Sequence, residues 1–154
     1  MKITLIGYGK MGRLIEKKAK ERNHIITNIL DSQDWNLENL KGCDMAIDFS
    51  TPDSVINNIR KSFEMGIPII VGTTGWNQHF QKVKDWCKNY NGAILTASNF
   101  SLAVNVFFEI NKHLSKIMNN YPSYNIHLNE THHVEKQDSP SGTAIPTAEI
   151  ILSY

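Results

Sequence analysis

Between Lys2 and Ala97, short runs that are apolar on nearly every residue alternate with longer amphipathic stretches. No other feature of this 154-residue chain limits its fold so strongly. "KITLI" (2–6), "HIITNIL" (24–30), "DMAIDF" (44–49), "IPIIVG" (67–72) and "GAILTA" (92–97) read as strands. A helix is expected from about Lys10 to Arg22, with Met11, Leu14, Ile15 and Ala19 at helical spacing. "STPDSVINNIRKSFEMG" carries the marks of a second helix: Ser50 or Thr51 as cap, Pro52 in the first turn and Gly66 just beyond the end. "WNQHFQKVKDWCKNY" reads as a third, whereas "DSQDWNLENLKG" is too polar and too short for a full helix. Strands without a polar face are buried on both sides, which requires a parallel sheet with helical cover. The expected fold is α/β and doubly wound.

After Ala97 the rhythm changes. "SLAVNVFFEINKHLSKIMNN" is the longest helical stretch, with Met118 and the Phe107–Phe108 pair expected in its core. In "YNIHLNETH", Tyr124, Ile126 and Leu128 alternate with Asn125, His127 and Asn129, as in a strand with one wet face. A polar loop leads to a last helix from about Gly142, with Pro146 near its first turn. We therefore expect a dinucleotide-binding domain over 1–99 and a second, α+β region over 100–154 whose single strand has nothing to pair with.

The dinucleotide expectation comes from "LIGYGKMG", in which Gly7, Gly9 and Gly12 form G-x-G-x-x-G between the first strand and the first helix. The first glycine permits the tight turn, the second lets backbone approach a pyrophosphate, and the third allows close packing of the helix. Tyr8, Lys10 and Met11 fill the turn, whose amides face the phosphates. Asp31, at the end of the second strand, stands where an acid can bond a ribose diol. The same pattern could be a turn with packing glycines alone. An acid at that position favours NAD, since it repels a 2′-phosphate, but Lys10 leaves NADP open. Three more segments follow strands at the same edge: "DFSTP" with Phe49, "GTTG" with Gly72, Thr73 and Thr74, and Ala97 with "SNF" (Ser98, Asn99, Phe100). Together they suggest a cofactor groove at the carboxyl ends of the strands.

The formal net charge of +1 gives no reason to expect nucleic acid or an acidic membrane as partner. Cys43 and Cys87 lie far apart with no CxxC spacing, so a reducing, cytoplasmic setting is expected. The strand-like "KITLIGY" at the start has no cationic and apolar leader pattern, so no targeting segment is expected, and no apolar run reaches membrane-spanning length.

"ETHHVEKQDSPSGTA" (130–144) is the densest chemical stretch. His132 and His133 are neighbours and point apart if extended. Lys136 follows, and Ser141, Gly142 and Thr143 open a helix whose amides could hold a carboxylate. Histidine titrates near neutrality and can act as a general acid. The group therefore suits an anionic substrate with one proton donor, although a surface turn and helix cap would look similar. A metal reading through His127, His132, His133 and Asp138 has no established ligand spacing, so no metal is expected.

"GYGKMG", "GTTG", "SNFS" and above all "ETHHVEKQDSPSGTA", in this order, resemble the 4-hydroxy-tetrahydrodipicolinate reductases of the diaminopimelate route to lysine. The last stretch is similar to the family's signature E-x-H-H-x-x-K-x-D-x-P-S-G-T-A, and the likeness covers essentially the whole chain. The resemblance implies a Rossmann dinucleotide-binding domain, and an NAD(P)H-dependent oxidoreductase with His132 as proton donor and Lys136 assisting. His133, Ser141, Gly142 and Thr143 would then hold the substrate's carboxylates, and the site would form between the two domains. It also implies a homotetramer for a full-length form. Chains of the family usually continue with further strands that complete an open mixed sheet, so this sequence is expected to be a shortened form. The alternatives are a non-catalytic NAD-binding remnant or a dehydrogenase for another amino-acid-like substrate.

Overall fold

The structure, a computed structural model, describes residues 1–31, 34–132, 134 and 139–154. It divides into two compact units, Met1–Ala97 and Ser98–Tyr154. In the first, β1 (Lys2–Ile6), β2 (Ile25–Leu30), β3 (Met45–Asp48), β4 (Ile69–Val71) and β5 (Ile94–Thr96) form one parallel sheet in the order β2-β1-β3-β4-β5. Helix α1 (Lys10–Glu21) connects β1 to β2, α2 (Pro52–Glu64) connects β3 to β4, and α3 (Phe80–Asn89) connects β4 to β5. The chain winds outward in both directions from β1 and β3, so the doubly wound expectation holds. Right-handed crossovers running in opposite directions place helices on opposite faces.

Two cores follow from that arrangement. Ile3, Leu5 and Ala19 are buried on one face, with Ile15, Met45 and Ile47 packed against them. On the other, Ile6, Ala46, Ile69 and Val71 meet Val55, Ile59 and Phe63 of α2 and Val83 of α3. Alternate residues of the central strands β1 and β3 feed opposite cores, which is why these strands lack a polar side. Thr4 is fully buried and tolerated because its hydroxyl meets that of Thr27 at 3.0 Å.

Local signals fix the element ends. Thr51 and Ser54 form a reciprocal capping box at α2 with Pro52 beside the cap, and Gly66 takes φ +65° just past its end. Among the described residues, the polar stretch before β3 makes only a 3-10 turn, Leu37–Leu40. One expectation changes in α1: Met11 and Leu14 are about half exposed, and Gly12, Ile15 and Ala19 face the sheet instead. A side chain at position 12 is what the packing forbids, since a Cβ there would lie 2.4 Å from the Gly7 carbonyl oxygen.

In the second unit the described residues form α4 (Leu102–Met118) and α5 (Ala144–Leu152), and those described between them form neither helix nor strand. The helices meet through buried Ser115, Ala144 and Thr147, with the Asn111 side chain donating to the Thr147 carbonyl at 3.0 Å. The strand expected near 124–131 forms no ladder among the described residues; its apolar positions Tyr124, Ile126 and Leu128 are as exposed as its polar ones. A strand is defined by a partner, and all five described strands belong to the first unit. Phe107, expected in the core, is likewise about half exposed, because the outer face of α4 is uncovered within this unit.

Candidate functional site

The order β2-β1-β3 reverses chain direction between β1 and β3, and in an open parallel sheet that reversal leaves a crevice outside the carboxyl ends. Two adjoining clefts occupy this place. One, about 270 Å³, is lined by Gly7, Tyr8, Gly9, Asp31, Phe49 and Ser50 among others. Its neighbour, about 440 Å³, is lined by Gly9, Lys10, Met11, Phe49, Gly72 and Thr74 among others. The turns after β1, β2, β3 and β4 thus meet in one groove.

Each glycine of the turn has a separate reason. Gly7 sits at φ +87°, and a Cβ there would fall 2.2 Å from the Phe49 carbonyl oxygen. Around Gly9 nothing lies within 4 Å of where a Cβ would stand, so its backbone is open to a ligand. Gly9 caps α1 without a side-chain bond, and the first turn contains no acidic residue. Unpaired amides at a helix N-terminus favour an anion, and this end suits a pyrophosphate. The Tyr8 N–H donates to Asp31 Oδ1 at 2.9 Å, which ties the carboxylate to the turn at the first cleft. The Tyr8 hydroxyl donates to Glu16, while Arg13 lies over its ring at 4.7 Å.

Beneath the groove lies a hub absent from the sequence-based reading. Asp48 is fully buried. Its Oδ1 accepts from the Ser50 hydroxyl at 2.8 Å, the Ser50 amide at 3.1 Å and the Thr73 hydroxyl at 2.6 Å; its Oδ2 accepts from Asn58 at 2.8 Å. One carboxylate therefore ties β3 to α2 and to the turn after β4, while the Trp76 indole N–H holds the Thr73 carbonyl at 2.8 Å. The signal available in sequence was an acid ending an apolar strand, which needs buried partners.

Gly72 completes the wall: a Cβ on it would stand 2.2 Å from the Phe49 ring. Gly72→Ala is expected to displace that ring and destabilise the first unit by about 1–3 kcal/mol, the usual range for overpacking, with weaker nucleotide binding. An unchanged denaturation midpoint would show that the ring yields without cost. Ala97 follows β5, and Ser98, Asn99 and Phe100 open the second unit, where Asn99 Oδ1 accepts the Ser101 amide at 2.8 Å.

In the second unit, the His132 Nε2 meets Glu130 Oε2 at 2.8 Å. The same carboxylate accepts the Ser141 amide, at 3.0 Å through Oε1. Ser141 is buried, and its hydroxyl oxygen accepts the Ala144 amide at 3.0 Å at the start of α5. Ser141 thus serves the helix end, with Gly142 and Thr143 in the turn beside it. His133 and Lys136, like Asp138 of the metal reading, lie outside the described residues.

Hydrogen bonds from Ser141 and from the His132 ring pull the Glu130 carboxyl down from its ordinary 4.5 to about 2. A depressed carboxyl stabilises the folded segment above its unfolded value and loses that contribution as pH falls through the folded one. Protection of the Ser141 amide from hydrogen exchange, corrected for intrinsic rate, is expected to be level above about pH 4.5 and to fall toward pH 2. Constant protection across that window would contradict the bond.

A cavity of about 680 Å³ along α4, lined by Leu102, Val106, Ile110, Leu114 and Ile117 among others, is almost wholly apolar and built on one helix. Asn105, Glu109 and His113 border it, but its exposed wall is aliphatic, unlike a metabolite site with converging polar groups. No helix among the described residues is long and apolar enough to cross a membrane.

Comparisons with known proteins agree on one family. The family model described as "Dihydrodipicolinate reductase, N-terminus" matches residues 1–100, and that described as "Dihydrodipicolinate reductase, C-terminus" matches 103–153. A 4-hydroxy-tetrahydrodipicolinate reductase of Christiangramia forsetii is 46% identical over 153 residues, covering 99% of this chain and 64% of that protein. One from Clostridium tetani is 34% identical, covering 98% of this chain and 63% of its own length. The chain therefore spans a little under two thirds of these relatives. Among solved structures, a dipicolinate-bound dihydrodipicolinate reductase from Paenisporosarcina sp. TG-14 matches with a TM-score of 0.76 at 23% identity, covering 99% of this chain and 66% of that one, a likeness of fold.

Proposed function

The chain belongs to the dihydrodipicolinate reductase family, and from that premise we propose that it carries the cofactor and proton-donor parts of a reductase acting on 4-hydroxy-tetrahydrodipicolinate in the diaminopimelate route to lysine. The observation that carries this reading is the Glu130–His132–Ser141 cluster standing within the one stretch that resembles the family's signature. In the first unit, the amides at the α1 N-terminus hold a pyrophosphate and Asp31 takes a ribose diol. Phe49, Gly72, Thr73 and Thr74 border the remaining space. A reduced nicotinamide bound there supplies a hydride. Asp31 favours NADH, since a carboxylate repels a 2′-phosphate, and Lys10 at the second cleft leaves room for NADPH as well.

In the second unit, His132 gives the proton that accompanies the hydride, and the substrate's 4-hydroxyl leaves as water. His133, Lys136 and the Gly142–Thr143 turn take the two carboxylates, with Lys136 also assisting the proton donor. In a form as long as the relatives the assembly is a homotetramer, and the two unpaired cysteines support a cytoplasmic setting.

A second reading has its own observation behind it. The segment 124–132 has no strand partner among the described residues. On that reading the first unit binds NADH while the second cannot turn substrate over. The two separate in one assay: NADH consumption on adding substrate generated in situ. Consumption that depends on substrate supports the reductase; NADH binding without consumption supports the remnant.

A further inference from the structure

We propose that Glu130 is a positioning residue for His132: its carboxylate holds the ring by the Nε2–H and leaves Nδ1 as the nitrogen that carries the transferable proton. This rests on the reading of His132 as proton donor and names the atom that acts. An ionised carboxylate only accepts hydrogen bonds, so a ring nitrogen 2.8 Å from Oε2 must bear a hydrogen. The neutral ring is then the Nε2–H tautomer, and the charged ring adds its second proton at Nδ1. When that proton passes to the substrate, the ring returns to the neutral Nε2–H form, and with the His132 side chain 38% exposed, water restores the proton.

The carboxylate is itself fixed. The Ser141 amide holds Oε1 at 3.0 Å, and Ser141 is buried with its hydroxyl oxygen on the Ala144 amide. The orientation of the imidazole is thereby referred to the start of α5, eleven residues beyond Glu130. An acceptor fixed behind a catalytic histidine sets its tautomer and direction without touching substrate, and in other enzymes replacing such an acid by its amide costs orders of magnitude in rate because the tautomer becomes wrong.

Glu130→Gln provides the test. Its carbonyl oxygen can keep the bond from the Ser141 amide, which places an N–H₂ donor where Oε2 stood. A donor there requires an unprotonated Nε2. In long-range ¹H–¹⁵N spectra of the chain, with the His132 signals identified by their loss in His132→Gln and the ring in its neutral form, the wild type is expected to show the Nε2–H tautomer. Glu130→Gln is expected to shift it toward Nδ1–H, with the Ser141 and Ala144 amide shifts near wild type. A merely structural role would move those amides and leave the tautomer alone. Retention of Nε2–H in the Gln variant, or a mixed tautomer in the wild type, would overturn the proposal. If the variant does not fold, the wild type decides: a slowly exchanging Nε2–H proton supports the bond, and a rapidly exchanging one overturns it. None of these readings needs turnover, so they stand apart from the outcome of the NADH assay.

Discussion

His132→Gln is expected to lower turnover by about 100-fold or more while leaving NADH affinity unchanged, since losing a positioned general acid costs on the order of 10²–10⁴ in rate. The two effects separate because His132 is not among the residues that line the two clefts. The groove that suits a nucleotide is built from the turns after β1 to β4 of the first unit, and His132 belongs to the second. Glutamine keeps a similar length and a hydrogen-bonding amide but cannot carry a proton to a substrate. Steady-state rates together with NADH fluorescence titrations of both proteins check this. Equal turnover would remove His132 from the chemistry, and a parallel loss of NADH binding would mean that the substitution acts through folding.

Asp48→Ala is expected to destabilise the first unit by about 3 kcal/mol or more. Removing the carboxylate leaves the Ser50 amide and hydroxyl, the Thr73 hydroxyl and the Asn58 amide without their acceptor. Each buried polar group stranded in this way costs roughly 1–3 kcal/mol, and some will find each other. Asn58 already approaches the Ser50 hydroxyl at 3.2 Å, and the Ser50 amide meets the Thr73 hydroxyl at 2.8 Å, which sets the expectation near the lower end. Because Ser50 and Thr73 border the clefts, NADH binding should weaken in the remaining folded protein. Urea denaturation reads the first effect; a loss below about 1 kcal/mol would show that Asp48 is not the hub its bonds imply.

The first unit was legible because its signals are local. Pro52 and Gly66 mark the ends of α2, and strands such as "IIV" are apolar on both faces because both faces are covered. The inward face of α1 departs from the helical spacing because of backbone contact in the turn before it. Gly12 packs against Gly7 through the turn, which fixes the helix's rotation and leaves Met11 and Leu14 outside. Asp48 escaped notice because its partners lie 2, 10 and 25 positions away. Glu130 was visible as the first letter of the dense stretch, but its use depends on Ser141. The alternation of Tyr124, Ile126 and Leu128 carries the period of a strand without making one, since period tells which residues share a face and not what they pair with.

The proposed reductase needs both a nucleotide and a dicarboxylate, so ligand binding separates it from an NADH-binding remnant. The most direct measurement is a fluorescence titration with NADH, followed by addition of pyridine-2,6-dicarboxylate, a planar analogue of the substrate. The expected result is saturable NADH binding that tightens when the analogue is added and is weakened by Asp31→Ala. NADH binding that the analogue leaves unchanged, or failure to bind either NADH or NADPH, would contradict the reductase.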